Sequence, residues 1–350
     1  MLSITFNILI FCMSMFTNTL VLSMYKQFKV AGKMEPGILV IFLQCITDML
    51  FSTTSLIFHN EVLFQNNYVS ICFVYLNHLN FSQLVYAAIF FVFVTTLNFN
   101  FFMVTLTVWA RYATITKKQK ITVKRLLLIF FVNVLICYFL SGFVLIYGLD
   151  FTADPYIIAK YFQVNNISDK FIKSTSTAIS LKTNEWTFLI GMIPICVYIN
   201  INMTSIFQYL LKYRSFMKSQ FQFMSSKTRT LGNDFFRILV LQLCAPLCLH
   251  FAPLLLYVVI IFSKLNFVSF GSIAFQLSST VPVFNPIFFL IFLTKSRCIM
   301  KCRIQKIANF ISCGKIVVEH LNSVTSMVPK SVMASSINPK ASTSINKNVV

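Results

Sequence analysis

Long apolar runs separated by short polar segments dominate the chain. Seven of them are long enough for a helix of about 20 residues, the length that crosses the hydrocarbon core of a bilayer. The predicted spans cover residues 2–25, 37–58, 84–110, 126–148, 187–211, 238–262 and 267–293. The pattern therefore predicts an all-α membrane protein, a bundle of seven transmembrane helices.

The segment between residues 61 and 83 is the one place where the number of spans is in doubt. Its apolar stretch, residues 68–75, could be read as an eighth crossing. That crossing would move the basic residues between Arg111 and Arg125 to the outer side, whereas lysine and arginine collect on the cytoplasmic side of membrane proteins. We therefore predict an outer loop here.

The composition supports lipid as the solvent for most of the chain. Of 350 residues, 57% are apolar and 11% are charged, and a mean hydropathy of +0.78 is too high for a soluble domain to hide in one core. Forty phenylalanines and only eight glycines favour lipid-facing helices over the alternating strands of a membrane barrel.

The basic residues determine the predicted orientation. The 29 Lys and Arg against nine Asp and Glu give a net charge of +20, which on a soluble protein would suggest nucleic acid. Seven spans instead place all but five of the basic residues on one side of the membrane. The five are Lys160, Lys170, Lys173, Lys182 and Lys264. We expect the N-terminus outside, the C-terminus in the cytoplasm, and no nucleic-acid partner.

Asp48 is the one clear carboxylate inside a predicted span, where an ionised side chain is costly unless it has polar partners or water. Its candidate partners in neighbouring spans are Asn18, Asn98, Asn100 and Asn285. We interpret these residues as a polar switch. The alternative is a hydrogen-bonded core that only holds the helices together.

Five of the nine prolines lie within the last three spans, where each removes a backbone hydrogen bond and can kink its helix. They are Pro194, Pro246, Pro253, Pro282 and Pro286. Kinks there would let the cytoplasmic halves of these helices move, as a receptor or a transporter requires. Static bends are the alternative.

Several of these positions occur in a fixed order, almost one to a span. They are Asn18 in Thr17-Asn18-Thr19-Leu20-Val21, Asp48 in Thr47-Asp48-Met49-Leu50, Arg111-Tyr112 closing the third span, Pro194, Pro253, and Asn285-Pro286-Ile287-Phe288-Phe289. This order resembles the landmarks of rhodopsin-like G-protein-coupled receptors. The resemblance implies a switch at Asn18, Asp48, Asn285 and Pro286, to which we add Asn100 as an amide inside a neighbouring span. It also implies G-protein coupling through Arg111 and Tyr112, with a simple anchor at the inner interface as the alternative for Arg111.

A second resemblance lies between the fifth and sixth spans. The sequence Ser226-Lys227-Thr228-Arg229-Thr230-Leu231 is followed by Phe235-Phe236-Arg237-Ile238-Leu239, Gln242, Pro246 and Pro253. This run is similar to the nematode serpentine chemoreceptors of the Str superfamily. The likeness implies binding of small environmental molecules at sensory cilia and activation of a heterotrimeric G protein.

Three features depart from the rhodopsin-like pattern. Ala110 stands where that family carries an acid before the arginine, and Phe289 replaces the tyrosine of the seventh-span motif. No cysteine lies between Leu149 and Trp186, so Cys72 has no partner for the usual outer disulfide. How the resting state is restrained and how the outer loops are held therefore stay open.

The ligand site is expected in the outer halves of the third and sixth spans. Tyr86, Phe90 and Phe93 share one helical face, with Tyr257 at a similar depth and His250 near it. A mostly apolar pocket among them would suit a small lipophilic molecule, and core packing is the alternative. The sequence shows no metal or nucleophilic constellation, so we expect neither a cofactor nor an enzyme.

Beyond the last span, residues 295–313 combine basic and apolar side chains, which predicts an amphipathic helix on the inner leaflet or, alternatively, a solvated helix. Candidates for acylation there are Cys298, Cys302 and Cys313. Residues 314–350 are predicted to be a disordered cytoplasmic tail. The resemblance implies phosphorylation and arrestin binding in that tail, with a passive tail as the alternative.

A seven-span transporter or ligand-gated channel is the chief alternative to a receptor. Transporters tend to carry internal repeats and several charged residues near the membrane centre, whereas these spans carry one clear carboxylate and no evident repeat. We therefore expect a multi-pass receptor in the plasma membrane, with a sensory cilium as the location that the resemblance implies. Asn166 in Asn166-Ile167-Ser168 is the expected glycosylation site on its outer side.

Overall fold

The computed structural model describes most of the chain. The described residues are 2–29, 36–58, 60–65, 68–73, 76, 79, 81–116, 122–150, 178–183, 186–220, 222, 226–263 and 270–311. Asn166, Cys313 and the tail from residue 314 onwards lie outside the described residues. Glycosylation, acylation of Cys313 and tail disorder therefore stay predictions from sequence.

Helices make up most of the described chain. They are α1 (Leu2–Leu22), α2 (Tyr25–Phe28), α3 (Pro36–Ile57), α4 (Gln83–Thr116), α5 (Val123–Gly148), α6 (Trp186–Gln220), α7 (Ser226–Pro246), α8 (Ala252–Phe262), α9 (Phe270–Ser278), α10 (Val281–Phe292) and α11 (Thr294–Ile311). The chain divides into two compact units. Met1–Leu293 contains the bundle, and Thr294–Val350 contains α11.

The predicted helical membrane bundle is confirmed. Six stretches of the described chain are long and apolar enough to cross a membrane, and they correspond to α1, α3, α4, α5, α6 and the α9–α10 segment. The predicted sixth span is formed by α7 and α8, and α7 packs against α4, α6 and α10. Helix α4 is central, because 67% of its span is buried, whereas α5, with 17% buried, is peripheral.

Three helices extend beyond the ends predicted from the apolar runs. Helix α4 continues past residue 110 to Thr116, α6 continues past residue 211 to Gln220, and α7 begins at Ser226 instead of residue 238. In α6 the buried side chains keep a helical spacing through Tyr213 and Met217, beyond the first charged residue, Lys212. Charged residues end an apolar run, but they do not end a helix that still has a face to bury.

The predicted sixth and seventh spans are not single regular helices. Leu247–Phe251 forms a π turn directly after Pro246, and a turn separates α9 from α10 just before Pro282. A proline lacks the N–H that would continue the regular hydrogen-bond pattern, so irregular backbone next to it is expected. Pro194 and Pro286 differ, since both lie inside continuous helices.

The connection between α3 and α4 folds as a β-hairpin, which rules out an eighth helix in its described part. Strands β1 (Asn60–Gln65) and β2 (Tyr68–Phe73) pair with β4 (Ala178–Lys182) and β3 (Leu149–Asp150) in an antiparallel sheet of order β1-β2-β4-β3. The outer loop was predicted, but its strands were not. We call the end of the bundle that carries this sheet the sheet end.

Alternating side chains of this sheet face the bundle. Val69, Ile71 and Phe73 of β2, with Ile179 and Leu181 of β4, are all at most 5% exposed and belong to one hydrophobic cluster with α4 and α6. This period of two is that of a strand with one buried face. The sheet therefore closes one end of the helical core.

Candidate functional site

The centre of the bundle holds the predicted carboxylate. Asp48 on α3 is fully buried. Asn100 on α4 donates from Nδ2 to Asp48 Oδ1 at 2.6 Å, and Asn285 on α10 donates from Nδ2 to Asp48 Oδ2 at 3.2 Å. Asn98, another candidate partner, instead donates to the Val94 carbonyl of its own helix at 3.0 Å. One carboxyl group thus joins three helices.

Asn18 on α1 forms a hydrogen bond to the backbone of α10, about one turn before Asn285. Its Nδ2 donates to the Pro282 carbonyl at 3.1 Å and to the Ser14 carbonyl at 2.9 Å. Pro286 has no N–H, so it cannot supply the helical hydrogen bond to the carbonyl four residues earlier, which is that of Pro282. Asn18 therefore satisfies the acceptor that Pro286 leaves free, as a neighbouring helix commonly does in membrane proteins.

The same region carries buried oxygens that are still unpaired. Within the described part of the chain, Oδ1 of Asn18 and Oδ1 of Asn285 are buried without a hydrogen-bond partner. A cavity of about 10 Å³ lies beside Asn100, and its lining includes Pro246 and Ser278. The polar centre is thus next to the irregular backbone of both the α7–α8 and the α9–α10 segments.

The predicted ligand residues of α4 lie together under the sheet. Tyr86, Phe90 and Phe93 are 0%, 5% and 3% exposed and belong to the cluster that includes the sheet side chains. The Tyr86 hydroxyl donates to the Leu76 carbonyl at 3.2 Å, and its ring stacks on Phe73 with centroids 5.5 Å apart. Tyr86 therefore holds the α3–α4 connection in place.

Phe93 also faces a second cavity of about 10 Å³. Its ring lies 5.7 Å from that of Phe275 on α9. Asn7, Ser55 and other polar side chains complete the lining, which mixes aromatic with amide and hydroxyl groups. The sequence had indicated Phe93 but not its partners. The side chains of His250 and Tyr257 lie outside the described residues, so their place in a pocket stays a prediction.

Aromatic pairs connect the helices at the end opposite the sheet, where Arg111 and Tyr112 lie in the last two turns of α4. The Tyr112 ring lies 5.8 Å from Tyr209 of α6. Tyr213 of α6 is fully buried and stacks on Phe236 of α7 at 5.9 Å, with the ring planes 9° apart. The Arg111 side chain is outside the described residues, and only its backbone is placed, in α4.

Sequence reasoning missed several buried hydrogen bonds between helices. Thr107 donates to Gln44 Oε1 at 2.9 Å, linking α4 to α3. Thr105 donates to Asn202 Oδ1 at 2.8 Å, linking α4 to α6. Gln44 and Asn202 could have been identified as amides inside apolar runs, by the same argument that selected Asn100.

Metal ligands and acylation sites are the remaining candidates, and acylation stays a prediction from sequence. Among the described residues, no group of three or more His, Cys, Asp or Glu is placed to hold a metal ion. On α11, Cys298 and Cys302 are one turn apart and half-buried.

Two comparisons with known proteins give matches. The model of the family of serpentine type seven-transmembrane G-protein-coupled chemoreceptors, Str, matches residues 3–301. The fold is similar to the crystal structure of squid rhodopsin, with a TM-score of 0.58 and 11% identity over 92% of this chain and 88% of that chain. No curated relative matches the chain in sequence.

Proposed function

The chain belongs to the Str family of serpentine seven-transmembrane chemoreceptors, and we propose that it binds a small, mostly lipophilic environmental molecule and activates a heterotrimeric G protein. The family is one of membrane receptors and not of enzymes. The family description supports a G-protein-coupled chemoreceptor, without naming a ligand or a G protein. We infer the ligand class, the residues that bind the ligand and the helix movements that transmit its binding to the G protein.

The sheet end faces the outside in this proposal. The opposite end of the bundle carries the last turns of α6, which contain Lys212, Arg214 and Lys218. Basic residues collect on the cytoplasmic side of membrane proteins, so this end suits the cytoplasm. The plasma membrane, and a sensory cilium in particular, is the location that fits a receptor for environmental molecules. The described part of the sheet then lies over the outer entrance of the bundle.

Helix α9 connects the proposed ligand cavity with the polar centre. Phe275 and Ser279 line the cavity next to Phe93, and a turn directly after α9 leads into α10. Helix α10 is tied to the rest of the bundle by Asn285 on Asp48 and by the Pro282 carbonyl on Asn18. A volume of about 10 Å³ is that of a single water, so a ligand that enters beside Phe93 has to displace α9 and would thereby strain these hydrogen bonds. This is the observation that carries the proposal.

In this proposal the G protein binds at the end of the bundle that carries Arg111. Ala110 cannot form an acid–arginine pair there, whereas the Tyr213 ring stacks on Phe236 across α6 and α7. We infer that this stacking restrains the resting state in place of an ion pair, and that separation of α7 from α6 exposes Arg111 and Tyr112 to the G protein. With one charge pair fewer opposing that motion, basal activity should be measurable.

A second-messenger assay in transfected cells, run over a panel of odorants, tests the proposal. Once a ligand is found, Arg111→Ala should abolish the response at unchanged surface level, and Arg111→Lys, which keeps only the charge, should impair it strongly. Arg125→Ala is the matched control, because Arg125 is an exposed basic residue in the first turn of α5. It should leave the response intact.

Two results would contradict the proposal. A full response from Arg111→Ala would remove the coupling role of that residue. Ligand-evoked currents in excised membrane that persist without a G protein would favour the channel alternative. Arrestin binding to the tail and acylation of α11 stay predictions from the sequence alone.

A further inference from the structure

The amide side chains of the described spans are mostly turned into the bundle. The buried ones are Asn7, Asn18, Gln44, Asn98, Asn100, Asn202 and Asn285. Asn200 and Gln208 on α6 are different, because their side chains are exposed, but Gln208 lies only four residues before Lys212 and thus near the end of the span. The Asn200 Nδ2 donates to the Cys196 carbonyl of the same helix at 2.8 Å, which leaves one N–H and Oδ1 facing away from the bundle.

Asn200 lies near the middle of its span. At 1.5 Å per residue it is about 21 Å along the axis from Trp186 and about 18 Å from Lys212. Exposed tryptophan and lysine side chains typically sit at the two membrane interfaces. A hydrocarbon core of about 30 Å therefore surrounds Asn200 on both sides.

The surface around Asn200 is otherwise apolar and exposed. Val197 and Ile201 on this face are 51% and 60% exposed, so the face meets lipid tails and not a water-filled cavity. Thr204, one turn further, is also exposed. Lipid tails offer no hydrogen bond to an amide, so an exposed amide at this depth is costly unless another protein group pairs with it.

We propose that this face of α6 is the contact between two copies of the chain, related by a two-fold axis along the membrane normal. Two copies inserted in the same orientation place Asn200 at the same depth. An amide is self-complementary, so each free N–H can donate to Oδ1 of the other copy in an isologous contact. A different membrane protein would need a matching polar group at that depth.

The spacing of the stripe supports this geometry. Cys196, Asn200 and Thr204 follow one another at intervals of four residues, and all three are exposed. Rows of residues at this interval form the ridges that pack into each other when two helices cross. Small and polar side chains along such a row are also the usual contact of paired membrane helices.

Energy transfer between two labelled copies of the full chain, measured at low surface density, tests the contact. Asn200→Leu should weaken self-association about 3- to 20-fold, the range expected for one polar contact within a membrane. Asn200→Gln keeps the amide and should stay near wild type. Met13→Leu on the exposed face of α1 is the control. Folding is not at risk, since leucine in lipid is more favourable than asparagine.

Oxidative cross-linking in native membranes locates the axis independently. Copper phenanthroline serves as the oxidant. Two Cys196 thiols of adjacent copies lose two protons and give two electrons to the copper complex as they form a disulfide. The covalent dimer should disappear in Cys196→Ser and remain in Cys12→Ser, another exposed thiol. The opposite pattern, or unchanged energy transfer in Asn200→Leu, would overturn the proposal.

Discussion

The middle of the bundle and its sheet end are held together in opposite ways. In the middle, Asp48, Asn100 and Asn285 join three helices by hydrogen bonds among buried polar groups. At the sheet end, Ile71 and Phe73 close the core by apolar packing under a hydrogen-bonded sheet. Polar bonds of this kind depend on direction and pairing, whereas apolar packing tolerates small shifts.

In the proposed receptor the two regions would serve different functions. A region that packs by apolar contact can adapt to ligands of different shape. A region with two buried unpaired oxygens, on Asn18 and Asn285, has hydrogen bonds available for a second arrangement of the helices. Substituting one side chain at a time in each region tests this difference.

The largest effect is expected from Asp48→Leu. This change removes the acceptor of two buried amides, and each unsatisfied buried group costs about 1 to 3 kcal/mol, so the bundle should lose about 2 to 6 kcal/mol. Thermal denaturation of the solubilised receptor measures this loss. Asp48→Asn, which keeps one acceptor oxygen, should lose less. Ile46→Leu, on the exposed face of the same helix, is the control; an unaltered Tm for Asp48→Leu would refute the central role.

A smaller effect is expected at the sheet end from Ile71→Ala. Truncating a buried isoleucine costs about 2 to 5 kcal/mol in a closed core. We expect the low end of that range, about 2 kcal/mol, because a sheet at the edge of the bundle can relax into the space. The same denaturation assay applies, with Leu79→Ala as the control, since Leu79 is 44% exposed on the same connection. A loss equal to that of Asp48→Leu would remove the contrast between the regions.

Tyr86→Phe separates the two kinds of contact at one residue. It deletes the hydrogen bond to the Leu76 carbonyl but keeps the ring on Phe73. We expect a loss of about 1 kcal/mol, the usual net value of one hydrogen bond. If Tyr86→Phe were as damaging as Tyr86→Ala, the hydroxyl and not the ring stack would hold the connection.

The smallest effect is expected from Cys72→Ser. The sheet register places Ala178 opposite Cys72, so backbone strand pairing itself joins β2 of the α3–α4 connection to β4 of the α5–α6 connection. Surface expression should be nearly unchanged in a labelling assay on intact cells. A large loss would point to a disulfide with another molecule.

The sequence allowed much of the architecture and part of the site to be predicted. Apolar runs of span length predicted the helical bundle, because a membrane requires each span to satisfy its own backbone. Landmark residues identified Asp48 and Asn285, and the search for amides inside apolar runs identified Asn100; the structure brings the three together. The strands β1 to β4 were missed because their alternating pattern is short and lies between far stronger helical signals. The last turns of α4 and α6 and the first turns of α7 were missed because hydropathy records apolarity and not helicity.

The order of residue types along the chain is enough to show which residues are polar and in which spans they lie. The direction in which each polar side chain points depends on the folded bundle. Asn18 and Asn100 face the core and bind partners far away in the chain, whereas Asn200, an equally polar residue in an equally apolar run, faces outwards. The physical reason is that burial depends on the rotation of each helix against its neighbours, which is set by packing across the whole bundle.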